Sequence, residues 1–547
     1  MRLLCQSSLP QSSGVILAVG RVCPAVSCGR WRCRRCGILH TMSSECPDVV
    51  VIGSGPNGLA AAVTAARAGL RVVVYEAQPT IGGGARTADL GMADGVVHDL
   101  CSAVHPLAVV SPFFSAFDLP SRGVDLLLPE ASYAHPLEDE PAAVAWHSLD
   151  RTAAELGVDG SRWRDLFLPL LEAPDAVVAL GLGSKRGVPS EVLNARGAAA
   201  AASFVGSVAK VARTGGSGLF SGTRARALLG GVAAHSPGRL GTLSSAGVGL
   251  MLAMTGHLGG WPIPQGGSKA IVDALVADIE AHGGSFVTGA HISDSSQLPP
   301  ARAYLCDTTA EAAAEIFAEH LPASVKRSLR SLGHDSGVAK VDFVLSGPVP
   351  WRDQNVGRAG TVHLGGTWSE IAASQHAVAR GVMPPLPLVL ASDPTVADPS
   401  REVGGLRPLW TYAHVPLGCS IDVTEHVVRQ VERFAPGFRD VVVASRCVPA
   451  SKMSEHNANY VGGDIAAGSV DAYRLVARPR LAWDPYSFGL VRTVDGMTAR
   501  VALCSAAAVP GPGVHGVCGY EAMRTVLRKT FGIHEHISLS PGLAADI

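Results

Sequence analysis

The clearest pattern of hydrophobic positions lies between residues 48 and 76. Residues 48–52 (DVVVI) and 71–76 (RVVVYE) are short, nearly continuous apolar runs. Runs of this length predict strands that are buried on both faces of a parallel sheet. The Ala-rich stretch 59–68 between them predicts a helix, which Gly69 ends. The pattern therefore predicts a strand–helix–strand unit.

Glycines fill the turn between the first strand and the helix, in the spacing G-x-G-x-x-G. The first glycine permits a tight turn, the second lets backbone approach a pyrophosphate, and the third lets helix and strand pack closely. The helix start offers free N–H groups to a diphosphate. Glu76 ends the second strand, where a carboxylate can bind a ribose hydroxyl. The expected nucleotide contacts are Glu76 and the loop residues Gly53, Gly55, Pro56, Asn57 and Gly58.

A second feature is the 29-residue stretch 240–268, which contains no Asp, Glu, Lys or Arg. It is long enough to span a membrane. It also contains eight glycines, two prolines and His257, which are poorly suited to a span. We therefore favour a buried helix and loop lining an apolar cavity over a membrane-facing rim, and both over a span.

Composition narrows the class of protein. Of 547 residues, 47% are apolar and 17% are charged, against about 25% charged in a typical soluble protein. That composition excludes a disordered chain. The net charge of −1 offers no global field for nucleic acid, so we expect no nucleic-acid partner.

Charge is uneven at the N-terminus, where residues 1–41 hold six arginines, five cysteines and no acid. One interpretation is a transit peptide, and another is a metal-binding knuckle over 28–36, which lacks a second ligand pair. We favour a disordered or leader segment over residues 1–45. The seven remaining cysteines are expected to be reduced, and no metal site is expected; they are Cys46, Cys101, Cys306, Cys419, Cys447, Cys504 and Cys518.

The residues after Glu76 carry a first resemblance. Gly82-Gly83 and Thr87 complete the pattern E-x5-G-G-x-x-x-T. This resembles the flavin-binding pattern of the second class of glutathione-reductase-like proteins, which includes amine oxidases and carotenoid desaturases. The resemblance implies FAD as cofactor, with Gly82, Gly83 and Thr87 along it and Arg86 as the basic residue near the diphosphate.

Residues 501–522 read as a strand, a Gly/Pro loop and a helix start. The resemblance implies that this segment closes over the flavin through Ser505, Gly513, Val514 and Gly516. Many members of the class have Gly-Asp where this chain has Cys504-Ser505. A hydroxyl therefore replaces a carboxylate expected to contact the ribityl chain.

Further stretches resemble one branch, the phytoene-dehydrogenase-related FAD oxidoreductases, over about residues 46–530. They are residues 101–106, 337–351, 360–367, 431–440, 459–465 and 484–486, with the C-terminal loop. A separate match to the class is the Gly-Gly element at 264–271, which is followed by a predicted helix to Ala281, a predicted strand over 285–292, and a strand and turn over 304–309. The resemblance implies an α/β fold, with a Rossmann-like FAD domain interleaved with an α+β substrate domain. The expected FAD domain is 46–121, 262–330 and 481–535, the substrate domain is 122–261 and 331–480, and a tail follows at 536–547.

The function implied is an FAD-dependent desaturase or dehydrogenase that takes hydride from an apolar, isoprenoid or lipid-like substrate. A flavin amine oxidase and a non-enzymatic lipid-binding or escort protein are the alternatives. His105 and His515 lie in motif segments and are the candidate bases. With one dinucleotide site, oxygen or a quinone is the expected electron acceptor. The expected location is cytoplasmic with peripheral membrane contact, or the mitochondrial matrix if residues 1–41 are a transit peptide.

Overall fold

The computed structural model describes residues 46–183, 187–216, 218–493 and 495–542, together with two short paired strands near the N-terminus. The chain divides into two units, Met1–Cys46 and Pro47–Ile547. The leader and metal-knuckle hypotheses for residues 1–41 lie outside the described residues, apart from the backbone of those two strands.

The strands in chain order are β1 Trp31–Arg32, β2 Leu39–His40, β3 Val49–Ile52, β4 Val72–Tyr75, β5 Thr87–Asp89, β6 Val97–Asp99, β7 Leu126–Leu127, β8 Ala131–His135, β9 Ala143–Trp146, β10 Ile263–Pro264, β11 Ser285–Val287, β12 Ala303–Cys306, β13 Ser336–Leu345, β14 Val362–Leu364, β15 Val389–Ser392, β16 Arg407–Pro416, β17 Val442–Val448, β18 Ser487–Arg492 and β19 Thr498–Leu503.

The helices are α1 Pro56–Arg67, α2 Pro106–Val110, α3 Pro112–Phe117, α4 Leu149–Glu155, α5 Gly160–Glu172, α6 Pro174–Leu182, α7 Ala195–Thr214, α8 Thr223–Ala233, α9 Leu243–Leu258, α10 Lys269–Ala281, α11 Ala310–Ile316, α12 Ala323–Arg330, α13 Trp368–Ala379, α14 Thr424–Glu432, α15 Phe438–Val441, α16 Met453–His456, α17 Ala472–Val476 and α18 Val517–Val526.

The first large sheet has the strand order β11-β4-β3-β12-β19-β18 and is parallel except for β18. Every residue of β3, β4 and β12 is buried, as the continuous apolar runs predicted for β3 and β4. Helix α1 packs against α10 and α18. The predicted strand–glycine loop–helix–strand order over 48–76 is confirmed, and the strands of this sheet come from three widely separated parts of the chain.

The strand predicted over 285–292 is wrong in its second half, because β11 ends at Val287. Glu76 N–H donates to the carbonyl of Val287 at 2.8 Å, and Ala290 N–H donates back to the carbonyl of Glu76 at 2.8 Å. Gly289 between them has a φ of +67°, a conformation open to glycine. The chain therefore turns around the end of β4 instead of continuing the ladder.

The second large sheet has the order β17-β13-β16-β15-β14-β8-β9 and is mainly antiparallel. Side chains alternate between its faces. One face packs a core that includes Val341, Phe343 and Leu409. The other face carries Val338, Leu390 and Tyr412 and looks onto the cavity described below.

A helical layer, α5 to α9, packs around Trp163, Phe167, Leu250 and Trp261. Helix α9 occupies most of the uncharged stretch and is buried over much of its length. Within the described residues, every helix is too short or too polar to cross a membrane. The expectation of a buried helix lining a cavity is confirmed, since Val248, Met251 and Leu252 line it.

The cysteines follow the prediction with one exception. Cys101, Cys306, Cys419, Cys447, Cys504 and Cys518 are free thiols. Cys46 is disulfide-bonded, so its expected reduced state is wrong. It stands at the boundary between the two units of the chain, whereas Cys306, Cys504 and Cys518 are buried in the core.

Candidate cofactor and substrate site

One cavity of about 650 Å³ reaches from the glycine loop to the uncharged helix α9. Its first wall is the carboxyl edge of the parallel sheet, where β3, β4 and β12 end. Its second wall is the face of the second sheet that carries Val338 and Tyr412. Helices α6, α7 and α9 form the third. Ligands of open parallel sheets bind at this carboxyl edge.

Two glycine segments meet at the nucleotide end. Gly53 has a φ of +100° and Gly83 a φ of +52°. A Cβ added to Gly83 would lie 2.7 Å from the Cα of Gly55, so the two backbones touch. Helix α1 begins at Pro56, and Gly53, Gly55, Pro56, Asn57 and Gly83 all line the cavity. A groove walled by bare backbone suits a diphosphate. Neither Gly58 nor Gly82 lines the cavity.

Glu76 is held at the end of β4 by three hydrogen bonds. One carboxylate oxygen, Oε2, accepts from Ser54 N–H at 2.9 Å and from Ser54 Oγ at 2.5 Å. The other accepts from Gln78 N–H at 2.8 Å. The carboxylate is buried and lines the cavity beside the glycine loop, which is the position that ribose recognition requires.

Asp307 is a site residue that sequence reasoning missed. It directly follows β12, and a Cβ added to Gly55 would lie 2.4 Å from its Oδ2. Burial raises the pKa of Asp307 to about 7, and the charge of the nearby Glu76 raises it as well. Hydrogen bonds from the Gly58 and Gly55 backbones act in the opposite direction and lower it. The sequence does contain a signal for Asp307, because an acidic residue directly after a buried parallel strand lies at the edge of the sheet where ligands bind.

Arg86 is buried and lines the cavity. Its guanidinium donates to the carbonyl of Gly83 at 2.8 Å, to Thr80 Oγ1 at 3.2 Å and to the carbonyl of His456. It thus ties the second glycine pair to α16. Thr87 lies behind the cavity wall, where its hydroxyl donates to Asp99 Oδ1 at 2.7 Å.

The C-terminal loop contributes Gly513 and Val514 to the cavity wall. Ser505 lies behind the wall, where its hydroxyl donates to the carbonyl of Thr308 at 2.6 Å and accepts from Ala507 N–H at 3.1 Å. Gly516 starts α18 with a φ of +69°, and a Cβ there would lie 2.5 Å from the ring of Phe113. Two of the four predicted residues therefore face the cavity and two support it.

The two candidate histidines differ in position. His105 lines the cavity, and its Nε2 lies 2.8 Å from Ser268 Oγ. Because Ser268 Oγ donates to the carbonyl of Ser102, Nε2 of His105 is the protonated nitrogen. Its Nδ1 has no partner among the described residues. Burial lowers the pKa of His105 to about 4, so the ring is a neutral base.

His515 uses both ring nitrogens to brace the loop. Its Nδ1 accepts from Val517 N–H at 3.0 Å, so Nε2 carries the proton and donates to the carbonyl of Gly511 at 3.1 Å. His515 does not line the cavity. The structure therefore brings His105 to the cavity and leaves His515 inside the loop.

Lys340 is a second residue that the sequence did not single out. It lies on β13, is buried, lines the cavity and forms an ion pair with Asp342.

Cys101 also lies in the cavity wall, and burial raises the pKa of its thiol to about 11. A protonated thiol is a poor nucleophile, which argues against disulfide chemistry here.

Among the described residues, the negative charge in the cavity lining is confined to one end. The carboxylates among the described lining residues are Glu76 and Asp307, both at the glycine loop. The far end is lined mainly by apolar side chains, which include Leu180, Leu182, Phe204, Val248, Met251, Leu252 and Trp261. We call this far end the apolar chamber. Within the described residues there is no cluster of metal-ligand side chains.

Comparisons with known proteins agree with this architecture. The NAD(P)-binding Rossmann-like domain family matches residues 51–117, the unit that carries the glycine loop. An uncharacterized protein of Mycobacterium tuberculosis is 25% identical, with 88% of this chain and 97% of that protein covered.

Solved structures match most of the chain. An oxidoreductase from Methanosarcina mazei superposes with a TM-score of 0.53 at 16% identity, covering 88% of this chain and all of that one. A putrescine oxidase variant gives 0.53 at 16%, covering 89% and 99%. Cyclohexylamine oxidase from Brevibacterium oxydans gives 0.52 at 15%, also covering 89% and 99%. The chain therefore has a mixed α/β fold with a Rossmann-like domain, of the kind seen in amine oxidases of known structure.

Proposed function

We propose that the protein is an FAD-dependent oxidoreductase of the desaturase or dehydrogenase type, which removes hydride from an apolar substrate. The observation that carries this proposal is the single cavity that joins the glycine loop to the apolar chamber. A dinucleotide on the loop would extend toward the chamber, and a substrate there would meet its redox end. The similarity to an oxidoreductase over the whole length of that chain supports the same class.

The residues at the loop fit FAD. Backbone of Gly53 to Asn57 and the start of α1 would hold the diphosphate, and Glu76 the adenosine ribose. The close backbone contact between Gly83 and Gly55 keeps side chains out of the groove. Gly513 and Val514 would flank the ring system. Bound FAD supplies the hydride acceptor.

The chain's own residues position the substrate and move protons. His105 is neutral, its Nδ1 has no partner within the part of the chain that the structure describes, and it is placed to accept a proton in the cavity. Lys340 forms an ion pair with Asp342, so its positive charge in the cavity wall is neutralised. The chamber excludes water by its apolar lining, which protects a reduced cofactor from side reactions.

A flavin amine oxidase is the second candidate, because putrescine and cyclohexylamine oxidases share the fold. A protonated amine needs a carboxylate or an aromatic cage. The described residues of the chamber include the aromatic side chains of Phe204 and Trp261 but no carboxylate to balance the charge of an ammonium group. This distribution of charge favours a neutral substrate.

The test is the visible spectrum of the purified protein, followed by anaerobic mixing with carotenoids, acyl lipids, putrescine and cyclohexylamine. We expect a flavin spectrum that is bleached by an apolar compound and not by either amine. Bleaching by the amines alone would establish the second candidate. A protein that neither contains nor takes up FAD would refute both, and stable flavin that no compound reduces would favour an escort role.

A further inference from the structure

Five polar side chains stand where the second sheet meets the apolar chamber. Tyr412 of β16 lies opposite Leu390 of β15, which lies opposite His363 of β14. Trp410 and Thr361 occupy the next row on the same face. His235, just beyond α8, reaches the same face because its Nε2 lies 2.8 Å from His363 Nε2, and Ser236 follows it directly in the chain. All five line the cavity, and we call them the polar patch: His235, Ser236, Thr361, Trp410 and Tyr412.

The polar patch has unused hydrogen-bonding capacity. Ser236 and Thr361 are 4% and 3% exposed, and their hydroxyls have no partner among the described residues. The indole N–H of Trp410 is likewise without a partner there. A buried polar group without a partner costs about 1–3 kcal/mol. Three such groups in one wall of a cavity indicate a ligand that satisfies them.

The histidine pair adds a donor. Nδ1 of His363 has no partner among the described residues. An unpaired buried N–H is rarer than an unpaired acceptor, so the proton of His363 belongs on Nε2, donating to His235 Nε2. His235 then carries its own proton on Nδ1, and this N–H is left for the cavity. Burial lowers the pKa of His235 to about 3, so the ring is neutral.

These donors define what the ligand must offer. Trp410 can only donate, and His235 Nδ1–H donates in this tautomer, whereas the hydroxyls of Ser236, Thr361 and Tyr412 can do either. The patch has no free charge for an ion, since Lys340 is paired with Asp342. A neutral oxygen with lone pairs meets the requirement, and an ammonium group does not.

We propose that the polar patch binds a neutral oxygen, a carbonyl or a hydroxyl, carried by an otherwise apolar substrate. This inference deepens the proposed function, on which its use of the word substrate rests. It changes the substrate class from a plain hydrocarbon to an oxygenated lipid-like compound. The oxygen lies at the second sheet, and the apolar remainder occupies the chamber beside α6, α7 and α9.

The test uses calorimetric binding of three matched probes to the FAD-loaded protein: undecane, undecan-2-one and undecan-2-amine. We expect the ketone to bind about tenfold more tightly than the alkane, as one or two net hydrogen bonds provide, and more tightly than the amine. The preference should fall to about twofold in Thr361→Val, which keeps the shape of the side chain and removes its hydroxyl, and in Trp410→Phe, which keeps an aromatic ring and removes the indole N–H. Leu390→Ile, on the same sheet face, should keep it.

Melting temperatures within a few degrees of the wild type would show that the variants are folded. If they are not, the three-probe series on the wild type decides alone. Equal binding of ketone and alkane, binding of no probe, tightest binding of the amine, or an unchanged preference in folded variants would each overturn the inference. None of these binding results depends on flavin reduction. A ketone preference in a protein whose flavin no compound reduces would keep the binding site and remove the proposed activity.

Discussion

Gly55 lies so close to Asp307 that the structure leaves no room for a side chain at this position. A Cβ at this position would lie 2.4 Å from Asp307 Oδ2. We expect Gly55→Val to abolish FAD binding, because the added methyl groups would distort the loop and occupy the diphosphate groove. Flavin absorbance per mole of purified protein measures this. Gly347→Val is the control, since a Cβ there meets nothing within 4 Å. Stoichiometric flavin in Gly55→Val would refute the assignment.

We expect the affinity for the proposed FAD to depend on pH through Asp307. Burial raises its pKa to about 7, so near pH 6 it is mostly neutral and can sit beside a diphosphate. Above pH 7 its charge opposes the ligand. We expect the dissociation constant of FAD to rise toward tenfold per pH unit above 7 and to become flat in Asp307→Asn.

Quenching of FAD fluorescence between pH 6 and 9 measures this dependence. Asp273→Asn, a change at an exposed carboxylate of α10, should keep the wild-type slope. The same slope in Asp307→Asn as in the wild type would assign it to another group.

The sequence predicts the placement of those cavity residues that depends on local spacing along the chain. Glu76 and the glycines follow from strand, turn and helix signals within 30 residues. The polar patch does not, because His235 and Thr361 are 126 positions apart in the chain and meet only through sheet register. His515 shows the converse: it lies in a motif segment, yet local backbone groups occupy both its nitrogens.

Helix α8 packs against the histidines through glycine. A Cβ added to Gly231 would lie 2.6 Å from His135 Nδ1 and 2.7 Å from His363 Cβ. We expect Gly231→Ala to destabilise the protein by about 1–3 kcal/mol through overpacking, measured by urea unfolding. Gly206→Ala in α7 is the matched control, because a Cβ there meets nothing within 4 Å. It should stabilise by about 0.5–1 kcal/mol. Equal effects in both helices would contradict the packing argument.

Strands are predictable from the sequence where a continuous run of apolar residues is buried on both faces of the sheet, as in β3, β4 and β12. The strand predicted over 285–292 is too long, because the sequence pattern continues past Val287 whereas the hydrogen bonds to the neighbouring strand end there. The uncharged stretch was ambiguous between a membrane and a core. Packing of α9 against α7 and α8 settles it, and no period along the stretch reveals those neighbours.

For the molecule as a whole, buried histidines set the response to acid. Burial lowers the pKa from 6.5 to about 4 or 3 at eight of the described positions: His98, His105, His135, His235, His257, His414, His456 and His515. Below pH 6.5 the unfolded chain binds protons that the folded chain does not. The stability that these groups contribute is full above pH 6.5 and is lost as pH falls toward 4.

We therefore expect the free energy of unfolding to fall steeply between pH 6.5 and 4.5, by up to about 1.4 kcal/mol per pH unit for each histidine, and the urea midpoint to fall with it. The histidines outnumber the four groups whose raised pKa values oppose this trend: Asp307, His334, Asp342 and Asp393. Urea titrations at pH 7.5, 6.5, 5.5 and 4.5 measure it. A midpoint that stays constant across that range would show that these histidines are hydrated in the folded protein.

The order of strands in the parallel sheet also bears on how the protein is made. Strand β12 takes β3 on one side and β19 on the other, and β3 and β19 begin about 450 residues apart in the chain. At about 5–20 residues per second, a ribosome needs roughly 20–90 s to join them. Through that interval the growing polypeptide exposes an open strand edge of the kind that invites aggregation. Biosynthesis therefore leaves the nascent chain in need of chaperone protection until its last strand emerges.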